Sequence, residues 1–223
     1  MENSKQLYFE MPNNTALGIE DYIITDSNSF AFDLILRMIK NEIKLGIVSG
    51  PSFSGKTHLS KILIKNIGTD EHLYIDKDYK NIIEKVGSSN LIVIENIDKV
   101  IENKSEEDLF HIINFTKEND KKLLMTSSKS VSNIEFKLED LKSRLSAIIE
   151  AKIKQPDDEL IKLLFIKIFN DKQLIINPSV IVFLMSRLER SYRDINTFIE
   201  KLDKFSLEKG KKITKALIND LMN

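Results

Sequence analysis

One segment constrains the fold of this chain more than any other; it reads Gly50-Pro51-Ser52-Phe53-Ser54-Gly55-Lys56-Thr57. Glycines at both ends of the loop let the backbone wrap around phosphate oxygens with its N–H groups pointing inward. Lys56 supplies a cation for the β and γ phosphates. Thr57 offers a hydroxyl to Mg²⁺ at the start of a helix whose positive end lies beneath the anion. The sequence therefore predicts a P-loop that binds a nucleoside di- or triphosphate. We expect the next residue, His58, to belong to the same nucleotide-binding site.

Short apolar runs alternate with helical patterns around this loop. Strands are predicted over residues 44–49, 72–76, 91–95, 122–127 and 147–153. Helices are predicted over residues 29–40, 58–67, 79–86 and 106–118. An apolar run before the P-loop and a helix after it are what the motif requires. This alternation predicts an α/β fold with a five-stranded parallel sheet and helices on both faces.

Beyond Gln155-Pro156 only helical patterns remain. Pro156 suits a first helical turn, and the acidic residues after it favour the positive end of a helix. The predicted helices are residues 157–170, a helix capped by Asn177-Pro178 that runs to 190, and residues 193–209 and 214–222. We therefore divide the chain into an N-terminal tail (1–14), a P-loop α/β domain (15–154) and a small all-α domain (155–223).

Composition excludes several classes of protein. The chain has 223 residues, a formal net charge of −1 and no cysteine. The absence of cysteine excludes disulfides and thiolate metal sites. DNA-binding domains usually carry an excess of basic residues, which this near-neutral chain does not have. We therefore expect no direct sequence-specific DNA binding. No signal peptide or membrane-length apolar stretch is present, which leads us to expect a cytoplasmic protein without membrane contact.

A carboxylate at the end of the strand predicted over 91–95 is the candidate second acid. Glu95 could hold a Mg²⁺ ion or its water shell together with Thr57. The next position in hydrolytic P-loop proteins carries a carboxylate that activates water. Here it is Asn96, which cannot accept a proton at neutral pH. Asp98 is expected to point elsewhere if the strand continues. We therefore expect weak or no autonomous ATP hydrolysis.

The ordered motifs resemble a known family. The P-loop is followed by LIVIEN (91–96), KLLMTSS (122–128), DLKSRL (140–145) and YRDI (192–195). This set is similar to the AAA+ core of the bacterial initiator DnaA and, more closely, to its short homologue Hda, over nearly the whole chain. The resemblance implies an AAA+ domain with a helical lid. It also implies a role in inactivating DnaA, as Hda has in some bacteria.

The resemblance assigns roles to individual residues. Residues 21–28 look like the segment that flanks the adenine base, with Ile23 and Ile24 against it, although Thr25 stands where glycine is common. Residues 125–128 are similar to the sensor 1 strand end, where Ser128 replaces a frequent acid, so we expect only a weak role for it. Arg144 matches the arginine that reaches a neighbouring subunit's nucleotide, and Arg193 matches the sensor 2 arginine of the lid. A guanidinium suits both roles because it binds phosphate in a planar, bidentate manner.

The N-terminal tail carries a second recognisable segment, residues 6–11 (QLYFEM). It resembles the short peptide with which Hda docks on the sliding clamp of DNA polymerase. Such a peptide binds in an extended form, with its side chains filling pockets of the partner. The resemblance assigns these contacts to Gln6, Leu7, Phe9 and Met11.

Three hypotheses follow from these patterns. In the first, the chain binds ADP or ATP with Mg²⁺, docks on the clamp and presents Arg144 to the nucleotide of DnaA. In the second, it is an autonomous AAA+ ATPase such as a helicase loader, which the amide of Asn96 argues against. In the third, it is a DnaA-binding adaptor without a clamp role. A homodimer is compatible with each. Because full DnaA carries its DNA-binding domain after the lid, where this sequence ends, we expect no origin binding.

Overall fold

The computed structural model describes residues 18–68, 71–76, 86–102, 105–171, 176–210 and 212–222. The predicted clamp-binding residues Gln6, Leu7, Phe9 and Met11 lie outside this part, as does nearly all of the helix predicted over 79–86. Within the described residues, no helix combines the length and the apolar character needed to cross a membrane.

Among the described residues, five strands form one sheet, as predicted. They are β1 (Leu45–Ser49), β2 (His72–Ile75), β3 (Leu91–Ile94), β4 (Lys122–Ser127) and β5 (Ile149–Lys152). Their order is β2-β3-β4-β1-β5, and every pair is parallel. Because the strands are parallel and in register, with Ser49 opposite Ser127, their carboxyl ends meet at one edge of the sheet.

Helices cover both faces of this sheet. They are α1 (Ser29–Ile39), α2 (Lys56–Asn66), α3 (Ile97–Glu102), α4 (Glu106–Glu118) and α5 (Glu139–Ser146). Successive side chains of β3 serve opposite faces, as strand geometry requires. Leu91 and Val93 belong to the apolar cluster that includes α1 and α2. Ile92 and Ile94 belong to the cluster that includes α3, α4 and α5.

In the part of the chain that the structure describes, four helices follow the sheet and form their own apolar core. They are α6 (Asp158–Asp171), α7 (Pro178–Met185), α8 (Tyr192–Lys209) and α9 (Lys215–Met222). Phe165 and Phe169 of α6 stack at a centroid distance of 6.2 Å, fully buried in this core. Leu160 of the same helix and Tyr192 of α8 pack instead against the α1–α2 side of the sheet domain. These two residues attach the helical part to the sheet domain.

Polar caps fix where these helices begin and end. The Asn177 side chain accepts a hydrogen bond from Ser179 N–H at 2.9 Å, which confirms the predicted cap. Asp157 accepts from Leu160 N–H at 2.7 Å, so it caps α6 rather than opening it. The prediction that α7 runs to residue 190 was wrong. It ends at Met185, and the Ser186 hydroxyl donates to the Phe183 carbonyl at 2.8 Å.

Two helices, α3 and α5, were not predicted from the sequence. Strand β3 ends at Ile94, and Asn96 takes a φ of 56°, which turns the chain directly into α3. Asparagine is among the residues that adopt this left-handed conformation most readily. The expectation for Asp98 assumed a continued strand, which the structure contradicts: Asp98 lies in the first turn of α3 and is buried.

Candidate nucleotide-binding site

The P-loop follows β1 at the carboxyl edge of the sheet. Gly50 N–H donates to the Ser127 carbonyl at 3.1 Å, which ties the loop to β4. A Cβ atom at Gly50 would lie 2.8 Å from Ile153 Cβ, so no larger residue fits there. Gly55 has a φ of +92°, a left-handed conformation that glycine adopts without strain. The two glycines thus allow the tight loop predicted from the motif.

Lys56 reaches back into this loop from the first turn of α2. Its Nζ donates to the carbonyls of Gly50 and Pro51, both at 2.8 Å. Burial lowers the pKa of Lys56, and the charges of Glu95 and Asp98 oppose that effect. The loop therefore holds a largely buried cation at its centre, which is the electrostatic environment that a phosphate group requires.

Glu95, the predicted acid, lies directly after β3 and is buried. Its Oε2 accepts a hydrogen bond from the Thr126 hydroxyl at 2.7 Å and from the Thr57 hydroxyl at 3.3 Å. The Thr126 hydroxyl in turn accepts from Asn96 N–H at 3.0 Å. The structure thus brings Thr57 and Glu95 together as predicted, and it adds Thr126 of β4. The only sequence signal for Thr126 was a hydroxyl residue within the apolar run of β4.

The end of β4 is tied to α3 by Asp98. Its carboxylate accepts from Ser128 N–H at 3.0 Å, from the Ser127 hydroxyl at 3.2 Å and from the Ser128 hydroxyl. The sequence led us to expect only a weak role for Ser128 because it replaces an acid. In the structure an acid does bind this strand end, but it comes from α3. Ser128 therefore contributes to positioning the strand that carries Thr126.

A cleft of about 650 Å³ separates the P-loop from α8. Its lining includes Arg193, as predicted, and Asn196 one turn further along the helix. Asn196 was missed because an isolated amide in a helical pattern carries no motif. Residues 52–58 of the P-loop and Asn96 form the opposite side. The arrangement places a guanidinium across the cleft from the Lys56 ammonium, so two cations face the same space.

A smaller pocket of about 80 Å³ adjoins this cleft and shares Phe53, Ser54, Gly55 and His58 with it. Ile23 lines the pocket, whereas Ile24 does not and has 47% of its surface exposed. The structure thus brings one of the two predicted base-flanking residues to the pocket and leaves the other outside. The Asn28 amide fixes this segment by donating to the Ile23 carbonyl at 2.8 Å.

Tyr22, which the sequence analysis did not select, forms a wall of the same pocket. Its ring stacks on Phe32 at 5.5 Å and contacts the His58 ring edge-on at 5.3 Å. Burial raises the pKa of Tyr22 well above its ordinary value. Its position next to Ile23 in the base-flanking segment was the available signal.

Arg144 lies on the exposed face of α5 and is not among the residues that line the cleft. Leu141 and Leu145 of the same helix are buried and anchor it to the sheet. The Arg144 guanidinium lies 5.8 Å from the ring centroid of Phe110, and this cation–π contact orients it. Among the described residues, no carboxylate forms an ion pair with Arg144.

The sheet order and the helical lid define the class of protein. The strand β1 that precedes the P-loop lies between β4 and β5, and β4 separates it from β3, which is followed by Glu95. The C-terminal helices bring Arg193 to the cleft beside the P-loop. Domain III of DnaA from Thermotoga maritima has this fold, with a TM-score of 0.82 and 20% identity over 95% of this chain and 98% of that one. The chain therefore has an AAA+ P-loop fold with a C-terminal helical lid.

Sequence comparisons narrow this class. Residues 157–222 match the family model of the Hda lid domain. DnaA from Campylobacter jejuni is 28% identical over 234 aligned residues, which cover 94% of this chain and 52% of that protein. A further solved structure, AMPPCP-bound DnaA from Aquifex aeolicus, aligns with a TM-score of 0.72 and 18% identity over 88% of this chain and 68% of that one. The chain is a DnaA/Hda-like AAA+ protein. It spans about half the length of the curated relatives it matches.

Proposed function

We propose that this chain is an adenine-nucleotide-binding regulator of DNA replication initiation in the cytoplasm. It docks on the sliding clamp through Gln6, Leu7, Phe9 and Met11. It promotes hydrolysis of DnaA-bound ATP by presenting Arg144 to that nucleotide in trans. The observation that carries this proposal is the position of Arg144, which is exposed on α5 and does not line the chain's own cleft.

The P-loop and its surroundings fit an adenine nucleotide. Lys56, buried beneath a loop that only glycine can form at Gly50, suits an anion. Arg193 faces it from the lid. The relative from Aquifex aeolicus was solved with AMPPCP. A bound ADP or ATP would supply the phosphate charge that Lys56 and Arg193 neutralise, and the state of that phosphate would bias the lid through Arg193.

Thr57 and Glu95 fit a Mg²⁺ ion carried by the nucleotide. Hydroxyl and carboxylate oxygens are the ligands that Mg²⁺ takes in proteins, usually alongside substrate phosphates. The Thr57 hydroxyl lies 3.3 Å from Glu95 Oε2, so the two oxygens are close enough to serve one ion or its waters. Within the described residues, no group of three or more His, Cys, Asp or Glu side chains could hold a metal. The proposed ion therefore depends on the nucleotide.

Asn96 limits what the chain does with its own nucleotide. It lines the cleft beside Glu95 but offers an amide where a hydrolytic site needs a general base. A chain that binds nucleotide without fast turnover can hold one lid position for a long time. That property suits a regulator whose arginine acts on another protein's ATP.

The decisive experiment is a coupled assay of DnaA-bound ATP hydrolysis with clamp loaded on DNA. Arg144→Ala should abolish stimulation, because an arginine finger in trans is worth on the order of a thousandfold in rate. Lys142→Ala is the matched control: Lys142 lies on the exposed face of the same helix and forms an ion pair with Glu139 at 3.7 Å. Full stimulation by Arg144→Ala would contradict the trans role.

Two further measurements separate the alternatives. Deleting residues 1–11 should abolish clamp binding while leaving nucleotide binding intact. Retained clamp binding would remove the docking role from the tail, and absence of clamp binding by the intact chain would favour an adaptor without a clamp role. Steady hydrolysis by the isolated chain faster than about one turnover per minute, still slow for an enzyme, would favour an autonomous ATPase.

A further inference from the structure

The helix that carries Arg144 begins at a carboxylate supplied by another helix. Glu106, the first residue of α4, is only 7% exposed. Its Oε2 accepts from Lys137 N–H at 3.1 Å and from Leu138 N–H at 2.8 Å, and its Oε1 also accepts from Lys137 N–H at 3.1 Å. Leu138 is the N-cap residue of α5. Glu106 therefore fixes the chain at the point where α5 begins.

The sequence of α5 does not supply this contact by itself. In a capping box, the third helical residue accepts from the N–H of the N-cap residue. The third residue of α5 is Leu141, which is buried and apolar. The N-cap residue, Leu138, offers no side-chain acceptor either. Glu106 thus takes the place of a local cap, and it joins the start of α5 to α4.

A second residue of α4 contacts Arg144 itself. Phe110 lies four residues after Glu106, so the two side chains project from the same face of α4. The Arg144 guanidinium lies 5.8 Å from the centroid of the Phe110 ring, within the range of a cation–π contact. Phe110 is half-buried at the margin of the apolar cluster that α4 and α5 share. A leucine at this margin would keep the apolar contact but would not attract a guanidinium.

We infer that Glu106 and Phe110 are positioning residues that set where α5 begins and where the Arg144 guanidinium points. The inference rests on the proposed role of Arg144 in trans and adds how that arginine is placed. A guanidinium binds phosphate best when its planar N–H groups meet the phosphate oxygens, whereas an unrestrained arginine samples many rotamers. A misplacement of about 1 Å can cost on the order of a hundredfold in rate. Two contacts from one helix restrict the position of the guanidinium before the partner binds.

A coupled assay of DnaA-bound ATP hydrolysis, titrated with the chain, separates placement from binding. Phe110→Leu should lower the maximum stimulation about two- to fivefold, the size expected of a partly exposed cation–π contact. Glu106→Ala should lower it about tenfold or more, because the start of α5 is released. In both variants the chain concentration that gives half-maximal stimulation should stay within about twofold of wild type, since an arginine finger contributes mainly in the transition state.

A conservative variant distinguishes the hydrogen bonds of Glu106 from its charge. In Glu106→Gln the carbonyl oxygen can accept both N–H bonds that Oε2 accepts, so most of the stimulation should be retained. Glu107→Ala and Phe115→Leu are the matched controls and should stimulate like wild type. Glu107 is the exposed neighbour on the same helix, and Phe115 makes a cation–π contact with Lys121 at 5.2 Å.

The side chain of Arg144 can also be observed directly. Nitrogen-15 relaxation of its Nε–H group reports motion on the ps–ns timescale. The order parameter of this group should fall in Phe110→Leu and should stay unchanged in Phe115→Leu. This measurement needs no partner protein, and it keeps the test decisive if Glu106→Ala does not fold.

The outcomes separate this inference from the proposed function. Stimulation by the wild-type chain that Phe110→Leu and Glu106→Ala both retain would overturn the inference and leave the proposed function standing. A loss of stimulation in proportion to a loss of ADP binding and thermal stability would assign the two residues to folding alone, and would also overturn the inference. No stimulation by the wild-type chain, or full stimulation by Arg144→Ala, would overturn both.

Discussion

Replacing Lys56 with alanine should remove nucleotide binding without unfolding the protein. The Lys56 ammonium makes two hydrogen bonds to loop carbonyls at 2.8 Å and is central to the P-loop. Charge-assisted hydrogen bonds contribute about 1.5–3 kcal/mol each. Two of them made to phosphate oxygens would contribute about 3–6 kcal/mol, so the dissociation constant for ADP should rise by roughly two to four orders of magnitude.

The effect of Lys56→Ala on folding should be much smaller. The variant loses the bonds to Gly50 and Pro51 but also removes a buried charge, whose desolvation is evident in its lowered pKa. These two contributions oppose each other, and we expect the free energy of unfolding to change by less than about 2 kcal/mol. Lys61→Ala, exposed on the same helix, should leave both quantities unchanged.

Calorimetry with ADP and thermal unfolding of the free protein measure the two quantities separately. An ADP affinity in Lys56→Ala within about threefold of wild type would refute the assignment of this lysine to phosphate, given the contribution expected from two charge-assisted bonds. A large loss of stability with no defined folded state would instead show that the Lys56–carbonyl bonds hold the loop together.

Three further predictions concern single features. Asn177→Ala should lower the free energy of unfolding by about 1 kcal/mol, because the cap on Ser179 N–H is lost, whereas Ser179→Ala should have little effect in the same denaturation series. Asn96→Asp should raise basal ATP turnover about tenfold or more by supplying a general base. Asn196→Asp, also in the cleft, should not raise it. Equal turnover in the wild type and both variants would contradict the interpretation of Asn96. Because burial holds the pKa of His58 below 6.5, the unfolded chain takes up the proton more readily, so His58 should reduce stability as the pH falls below about 6.5. His58→Phe should flatten that part of the stability–pH curve measured by urea unfolding.

The sheet could be predicted from the sequence because its strands are short, apolar and bounded by clear breaks. All five predicted strands exist, and β4 has the predicted bounds of Lys122–Ser127. Helices α3 and α5 were missed for a physical reason. Helix α3 spans 6 residues and α5 spans 8, so neither gives a helical period much room to stand out. Helix α3 also begins after Asn96, whose left-handed conformation the sequence pattern does not reveal.

The residues of the candidate site that belong to a local motif could likewise be predicted, whereas those brought together by long-range contacts could not. Lys56 and Thr57 follow from a contiguous motif, whose geometry comes from the loop itself. The contact between Thr126 and Glu95 joins residues 31 positions apart and depends on the register of β3 against β4. A single sequence contains no record of that register. Tyr22 was missed for a related reason, since an apolar segment gives no sign of which side chain turns toward His58.

Asn96 shows how a backbone requirement and a chemical one can be separated. Its φ of 56° explains why a residue that tolerates the left-handed region stands there, but aspartate tolerates that region as well. The choice of an amide is therefore not imposed by the backbone. A carboxylate at this position would adjoin the buried Glu95 carboxylate, and two like charges in a buried site repel. The side-chain amide of Asn96 avoids that repulsion but leaves no general base beside Glu95. The bond to Thr126 does not enter this choice, because the backbone N–H of residue 96 donates it with either side chain. Asparagine at position 96 thus avoids an electrostatic cost when the site folds, and it also slows the hydrolysis of a nucleotide bound there. This combination is expected of a chain that holds its own nucleotide and acts on the nucleotide of another protein.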